Sequence, residues 1–173
     1  MHMSNSLSII TLFAIALVLG CQQSVAQPTT FTLTSSDIGG QMTTTQVFDG
    51  FGCTGNNISP QLSWMNAPTE TQSFAITMYD PDAPTGSGWW HWLVFNLPSD
   101  VTSLASGAGS TDGSALPARA IQSVTSFGTA GYGGPCPPVG HGLHRYVITV
   151  YALSVPELPL DSEANPALVG YNL

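Results

Sequence analysis

The residues best suited to chemistry lie in short segments next to Pro and Gly. An Asp-Pro-Asp-Ala-Pro run occupies residues 80–84, and His91 follows seven residues later. Far downstream come a Gly-Pro-Cys-Pro-Pro run, residues 134–138, and the tripeptide His-Arg-Tyr, residues 144–146. Only 7% of the chain is charged, so polar groups gathered where the backbone is stiff indicate a binding site rather than a solvated surface.

The two carboxylates of the first run, Asp80 and Asp82, are two residues apart. In an extended segment both project to the same side, and Pro81 and Pro84 stiffen the chain there. Such a pair could bind a metal ion, act as a general acid and base, or accept hydrogen bonds from a cationic group. A turn with both carboxylates in solvent is an equally good interpretation of this motif alone.

His91 lies within a Trp-Trp-His-Trp cluster. On a regular strand it would share a face with Leu93 and Phe95, while Trp90 and Trp92 occupy the opposite face. A single His on an apolar face is more often a satisfied core residue than a ligand-binding one. Both interpretations stay open at this point.

The tripeptide 144–146 opens the next predicted strand, on which His144 and Tyr146 share a face. On a regular strand Arg145 would point to the opposite side, and it is predicted to be the buried partner of a carboxylate. The preceding loop, Gly133 to Gly142, is rich in Gly and Pro. It suits a close approach of backbone to a ligand, with N–H groups turned toward an anion. A simple turn between strands is the alternative.

Strand patterns dominate the chain. In the segment 73–79, Phe74, Ile76 and Met78 fall on one face. No internal repeat is present, and no long helical period follows residue 26. The sequence therefore predicts one mainly β domain, residues 27–173, with antiparallel sheets and short peripheral helices at most. The predicted strands are 31–34, 61–64, 73–79, 89–97 and 145–153.

The charge balance excludes some classes of partner. The formal net charge is −8, with ten acidic residues and only two basic ones, Arg119 and Arg145. Nucleic acids and anionic membrane surfaces are bound through clusters of Lys and Arg, so neither is expected as a partner. The apolar fraction of 43% is ample for a folded core and argues against disorder.

The N-terminal segment has the pattern of an export signal. An uncharged apolar run from Leu7 to Leu19 is too short to span a bilayer and predicts a secretory signal over residues 1–26. Conventional cleavage after Ala26 would release a protein that begins at Gln27, and this is the favoured alternative. The other is a lipobox ending at Cys21, whose lipidation would give the protein a membrane anchor. Both predict a periplasmic or secreted protein.

Cleavage or lipidation at the N-terminus leaves two cysteines, Cys53 and Cys136. In an oxidising compartment this pair predicts a disulfide, which would close a loop of over eighty residues and stabilise the fold by about 4 kcal/mol. Two separate buried thiols are the alternative, because sequence alone does not show that the two residues are close.

Several ordered motifs together resemble the phosphatidylethanolamine-binding proteins, in particular the bacterial secreted branch related to Raf kinase inhibitor-like proteins. The resemblance covers most of the chain after the predicted signal. Its motifs are Gly52–Pro60 with Leu62 and Trp64, Tyr79–Pro84, Gly86–Trp92, Tyr132–Pro138, His144–Tyr146 and Val150–Leu153. Family members usually continue beyond the equivalent of Leu168–Tyr171 with a further helix and strand, so a C-terminal helix and strand are expected to be missing here.

The resemblance implies a compact β fold with a small pocket at one end that holds phosphate, acetate or a phosphorylated head group. The two imidazoles and the Tyr146 hydroxyl would donate to phosphate oxygens, while Asp82 would orient a His or accept from an ammonium group. The residues carried over to the pocket are Asp82, Pro84, His91, Gly134, Cys136, Pro137, His144 and Tyr146, with Trp89 at the rim and Asp80 nearby.

The expected function is a non-enzymatic binding protein for a small anionic or phosphorylated ligand, with no cofactor and no metal. A protein inhibitor of a protease or kinase, acting through its surface on an unknown target, is the second expectation. A hydrolase with a metal held by His91, His144 and Asp82 is the third. It is disfavoured, because no local metal-ligand spacing and no serine nucleophile motif occur.

Overall fold

The structure, a computed structural model, describes residues 29–173, and antiparallel strands make up most of its regular elements. Within this range the predicted fold class is confirmed: the strands are accompanied by one short helix. The elements are β1 (Thr32–Thr34), β2 (Asp49–Gly50), β3 (Cys53–Thr54), β4 (Leu62–Met65), β5 (Ser73–Asp80), β6 (Trp89–Pro98), β7 (Ser103–Leu104), β8 (Ile121–Gln122), β9 (Val147–Leu153) and α1 (Pro166–Asn172).

The main sheet has four strands in the order β8-β6-β5-β9. Strand β5 pairs with β9 in an uninterrupted register, from Ser73 opposite Leu153 to Tyr79 opposite Val147. A second sheet has the order β1-β4-β7, and β2 and β3 form a separate hairpin. The long central strands β5 and β6 are apolar on both faces, as expected for strands covered on both sides.

Two cores lie on opposite faces of β5 and β6. Phe74, Ile76 and Met78 belong to the first core, which confirms the predicted face of β5. The second core includes Leu93 and Phe95. Each such side chain is almost fully buried and contributes about 1.5–3 kcal/mol to stability.

The helix α1 closes the second core from one side. It begins after Asn165, whose side-chain oxygen accepts a hydrogen bond from the N–H of Leu168, and Pro166 occupies the first turn. Val169 is buried against the second core. The short helix agrees with the absence of a long helical period in the sequence.

A β-bulge interrupts β6 at His91. Met78 lies opposite Trp92, but the next residue of β5, Tyr79, lies opposite Trp90. His91 is therefore the extra residue, with no partner on β5. Bulges of this kind bend a strand and turn a side chain toward a new direction, and they are frequent beside functional sites.

The bulge changes which face each side chain occupies. Trp90 packs against the second core, together with Leu93 and Phe95. The His91 ring instead contacts Tyr146, which packs against the first core. The predicted faces of His91 and Trp90 are therefore wrong, because the bulge reverses the alternation that a regular strand would have.

The predicted strand from 145 to 153 begins two residues later than expected, so residues 144–146 precede β9 as irregular chain. The predicted export signal, residues 1–26 with Cys21, lies outside the described residues. Among residues 29–173, no helix is long and apolar enough to cross a membrane.

Candidate functional site

A pocket of about 180 Å³ lies where β5 ends and β6 begins. The loop containing Cys136, the segment before β9 and two aromatic residues from other loops complete its wall. Its lining residues are Phe51, Asp80, Ala83, Pro84, Thr85, Trp89, His91, Phe127, Cys136, Pro137, Pro138, His144 and Tyr146. Among the residues predicted from the sequence, all except Asp82 and Gly134 line this pocket.

Asp80 holds the imidazole of His144. Its Oδ2 lies 2.7 Å from Nδ1 of His144, and the two side chains are only 4% and 3% exposed. The other oxygen, Oδ1, accepts the backbone N–H of Asp82 at 2.8 Å. Because a carboxylate accepts and Nδ1 must then donate, the ring orientation is fixed and Nε2 is left for another partner.

His91 is held by the backbone of Gly133 in two directions. Nδ1 of His91 donates to the Gly133 carbonyl at 2.6 Å, and the Gly133 N–H donates to the His91 carbonyl at 2.8 Å. These two hydrogen bonds join the bulge of β6 to the loop that contains Cys136. Burial lowers the pKa of His91 below its ordinary value, while the Gly133 carbonyl and the charge of Asp80 act in the opposite direction.

Asp82 does not orient a His. Its carboxylate accepts the Arg145 backbone N–H at 2.8 Å and the guanidinium at 2.6 and 2.9 Å. These hydrogen bonds from Arg145 hold the pKa of Asp82 well below its usual range. Arg145 does pair with a carboxylate, but its side chain is 73% exposed. The expected burial is wrong, because residues 144–146 lie before the strand and this side chain projects to solvent.

Gly134 supports the loop without lining the pocket. Its N–H donates to Oδ1 of Asn57 at 2.7 Å, and the Asn57 side chain donates to the Tyr132 carbonyl at 3.1 Å. A Cβ at Gly134 would lie 1.9 Å from the backbone oxygen of Gln46, so only glycine fits this approach.

The backbone of residues 134–138 has little left to offer an anion. The Gly134 N–H is bonded to Asn57, and the three prolines of the run carry no N–H. Cys136 carries the only other backbone N–H of this segment. Within residues 134–138, the expected contribution of backbone N–H groups to an anion therefore reduces to this one group.

The disulfide between Cys53 and Cys136 is present, with Cα atoms 6.0 Å apart. It ties the β2–β3 hairpin to the pocket loop, next to a hydrogen bond of 3.0 Å from the Phe48 N–H to the Pro135 carbonyl. The tip of this hairpin is Phe51, whose ring is exposed and lines the pocket.

Aromatic rings form one wall of the pocket. Phe127 meets Trp89 and His91 edge to face, each with ring centroids 5.4 Å apart, and stacks with Phe51 at 5.8 Å. Tyr146 meets His91 edge to face at 5.1 Å. Burial raises the pKa of the Tyr146 hydroxyl, so it stays protonated at neutral pH.

Sequence reasoning missed five lining residues: Phe51, Ala83, Thr85, Phe127 and Pro138. Ala83, Thr85 and Pro138 are neighbours of predicted residues and follow from them. Phe51 and Phe127 lie in separate loops, each next to Gly, and an aromatic residue at a Gly-containing turn was the available signal. Among residues 29–173, no three His, Cys, Asp or Glu side chains are placed to hold a metal ion together.

Comparison with known proteins identifies the family. The sequence model described as phosphatidylethanolamine-binding protein matches residues 34–173. The chain belongs to the phosphatidylethanolamine-binding protein family. Proteins of this family are generally binding proteins rather than enzymes.

Two relatives from Escherichia coli K12 show how far the similarity extends. YbcL is 53% identical over 150 residues, which cover 86% of this chain and 82% of YbcL. YbhB is 48% identical over 143 residues, which cover 82% of this chain and 89% of YbhB. The crystal structure of YbcL, described as a new member of the mammalian PEBP family, superposes with a TM-score of 0.80. That match has 54% identity and covers 82% of this chain and 87% of the solved one.

Proposed function

We propose that the protein is a non-enzymatic binding protein whose pocket takes a small anion, namely phosphate, a carboxylate or a phosphorylated head group such as phosphoethanolamine. One observation carries the proposal. Both pocket histidines, His91 and His144, have Nδ1 bonded to a fixed acceptor, the Gly133 carbonyl and the Asp80 carboxylate. Each ring is thereby held in place with Nε2 available to a ligand.

The surroundings favour a single anionic group. The Tyr146 hydroxyl makes no hydrogen bond within residues 29–173, and together with the two Nε2 atoms it gives three polar atoms among the side chains that line the pocket. The rest of the lining is mainly aromatic or proline side chains, which exclude water and strengthen each polar contact. Both carboxylates near the pocket are engaged, Asp80 by His144 and Asp82 by Arg145.

The aromatic wall suits a head group that carries an ammonium. Phe51, Trp89 and Phe127 line the pocket beside the histidines. An ammonium attached to a phosphate bound at the histidines would lie against ring faces, where cation–π attraction contributes about 0.5–2 kcal/mol.

We place this function outside the cytoplasm. The disulfide between Cys53 and Cys136 supports this location, because such bonds persist in oxidising compartments. The predicted export signal is consistent with it.

An NMR titration tests the proposal. Phosphoethanolamine is added to the metal-stripped protein while the imidazole signals are followed. We expect the signals of His91 and His144 to shift together and saturably, while the indole N–H of Trp64, in the first core, stays in place. If neither imidazole moves in a folded protein, the anion site is wrong.

A pair of variants assigns the binding to the pocket. His144→Ala removes a lining imidazole, whereas His141→Ala removes one that is exposed and does not line the pocket. We expect a loss of affinity of tenfold or more for His144→Ala and almost none for His141→Ala. Equal effects of the two variants would place the ligand elsewhere.

A further inference from the structure

The two imidazoles of the pocket differ in their Nδ1 partners. Nδ1 of His91 donates to a neutral carbonyl oxygen, that of Gly133, while Nδ1 of His144 donates to the carboxylate of Asp80. Neither Nε2 makes a hydrogen bond within residues 29–173, and neither is sealed from solvent. The chemistry at the two Nε2 atoms therefore depends on the charge of each ring.

His91 is the neutral ring. Its side chain is buried, it has no ion-pair partner, and its Nδ1 hydrogen bond goes to an uncharged acceptor, the Gly133 carbonyl. The titratable groups that face it are Asp80, His144 and Tyr146. Burial outweighs the attraction of Asp80 and lowers the pKa of His91. With the proton on Nδ1, Nε2 of His91 carries a lone pair and accepts a hydrogen bond.

His144 is the ring that donates. With Asp80 accepting at Nδ1 and an anionic ligand oxygen at Nε2, both ring nitrogens of His144 face acceptors, so Nε2 is the donor to the ligand. The Tyr146 hydroxyl can donate or accept, so it adapts to either neighbour. A ligand that satisfies this pocket must therefore accept at His144 and donate at His91.

We propose that the pocket selects phosphomonoesters in their singly protonated form, with the P–OH group donating to Nε2 of His91 and an anionic oxygen accepting from Nε2 of His144. This inference rests on the proposed anion site and names its ligand class. No bond is formed or broken in the ligand, and the proton that bridges to His91 belongs to the phosphate.

The proposal separates anions that are similar in shape. A sulfate ester has no hydroxyl to donate, and neither has a phosphodiester, so both leave the lone pair of His91 without a partner. Once the bound anion covers Nε2, an acceptor left without a partner lowers affinity by roughly tenfold or more. The second ionisation of a phosphomonoester has a pKa of about 6, so the competent form is well populated near pH 6.5. The phosphate of intact phosphatidylethanolamine is a phosphodiester and falls in the disfavoured class.

Calorimetric titration at pH 6.5 tests the selectivity with three matched probes: methyl phosphate, methyl sulfate and dimethyl phosphate. Singly protonated methyl phosphate has the same charge as methyl sulfate and almost the same shape. We expect methyl phosphate to bind at least about tenfold more tightly than either of the other two. Equal affinities for methyl phosphate and methyl sulfate would overturn the inference and leave the anion site intact. Absence of binding by all three would overturn both.

Two variants assign the selectivity to His91. His91→Asn keeps a donor near the Gly133 carbonyl and removes the acceptor at Nε2, so the ratio of methyl phosphate to methyl sulfate affinity should fall to within about twofold of unity. His144→Asn keeps the contact with Asp80 and removes the donor, so both affinities should fall while their ratio is retained. Selectivity that survives in His91→Asn would assign it to another group and contradict the inference.

Discussion

The carboxylate of Asp80 and the imidazole of His144 form a buried hydrogen bond of 2.7 Å at the floor of the pocket. The two residues are 64 positions apart, one at the end of β5 and the other just before β9. The adjacent pairing of these two strands brings them together. The main sheet therefore positions the hydrogen bond that orients the His144 ring and its Nε2 donor.

Asp80→Asn should weaken phosphate binding about tenfold. The amide can still accept from Nδ1 of His144, but it loses the negative charge, and hydrogen bonds to charged groups are stronger by about 1–1.5 kcal/mol. Asp82→Asn is the matched control, because it breaks a pair with Arg145 that lies outside the pocket lining. The affinity of this variant for phosphate should stay within about twofold of that of the parent protein. Calorimetry of both variants measures the difference. Equal losses would contradict the assigned role of Asp80.

The disulfide should contribute about 4 kcal/mol to the free energy of unfolding, because it joins residues 83 positions apart and restricts the unfolded chain. Replacement of Cys53 and Cys136 by Ser should lower the urea midpoint accordingly. Addition of a reductant should lower the urea midpoint of the parent protein to that of the double variant. The midpoint of the double variant should not change. If the urea midpoint of the parent protein is the same with and without reductant, this account is wrong.

The long strands and most of the pocket could be predicted from the sequence. Strands β5, β6 and β9 are long apolar runs bounded by Pro, Gly or polar residues. Such a pattern is a strong signal for a β-strand. The two-residue strands β2, β3, β7 and β8 carry no period of their own, because their pairing depends on tertiary contacts. The bulge at His91 is a property of the register between β5 and β6, which the sequence of β6 alone does not contain.

The roles of Asp80 and Asp82 show where spacing fails as a guide. Two residues apart on one strand, their side chains would share a face, but β5 ends at Asp80 and the chain turns immediately afterwards. Asp80 therefore meets His144 in the interior, while Asp82 meets Arg145 at the surface. Phe127 was missed for a related reason, because its loop reaches the pocket only in the folded chain.

Gly134→Ala should lower the free energy of unfolding by about 1–3 kcal/mol. The new Cβ would lie 1.9 Å from the backbone oxygen of Gln46 and 2.7 Å from the backbone nitrogen of Phe48, and backbone atoms cannot move aside easily. Gly86→Ala provides the control, since a Cβ there has no atom within 4 Å. Urea denaturation compares the two. If Gly134→Ala unfolds at the same midpoint as Gly86→Ala, the tight packing of the pocket loop is wrong.

Acidification should destabilise the protein through His91. Its folded-state pKa lies below the ordinary value of 6.5, because burial disfavours the charged ring. Below pH 6.5 the unfolded chain therefore binds a proton that the folded chain does not, and stability falls as the pH drops from 6.5 toward the lower folded-state value. In His91→Asn this contribution is absent, so its urea midpoint should decline less between pH 7 and pH 5. His141→Ala, which removes an exposed ring, should keep the decline of the parent. Parallel pH profiles for the parent and His91→Asn would show that His91 does not titrate differently in the folded and unfolded states.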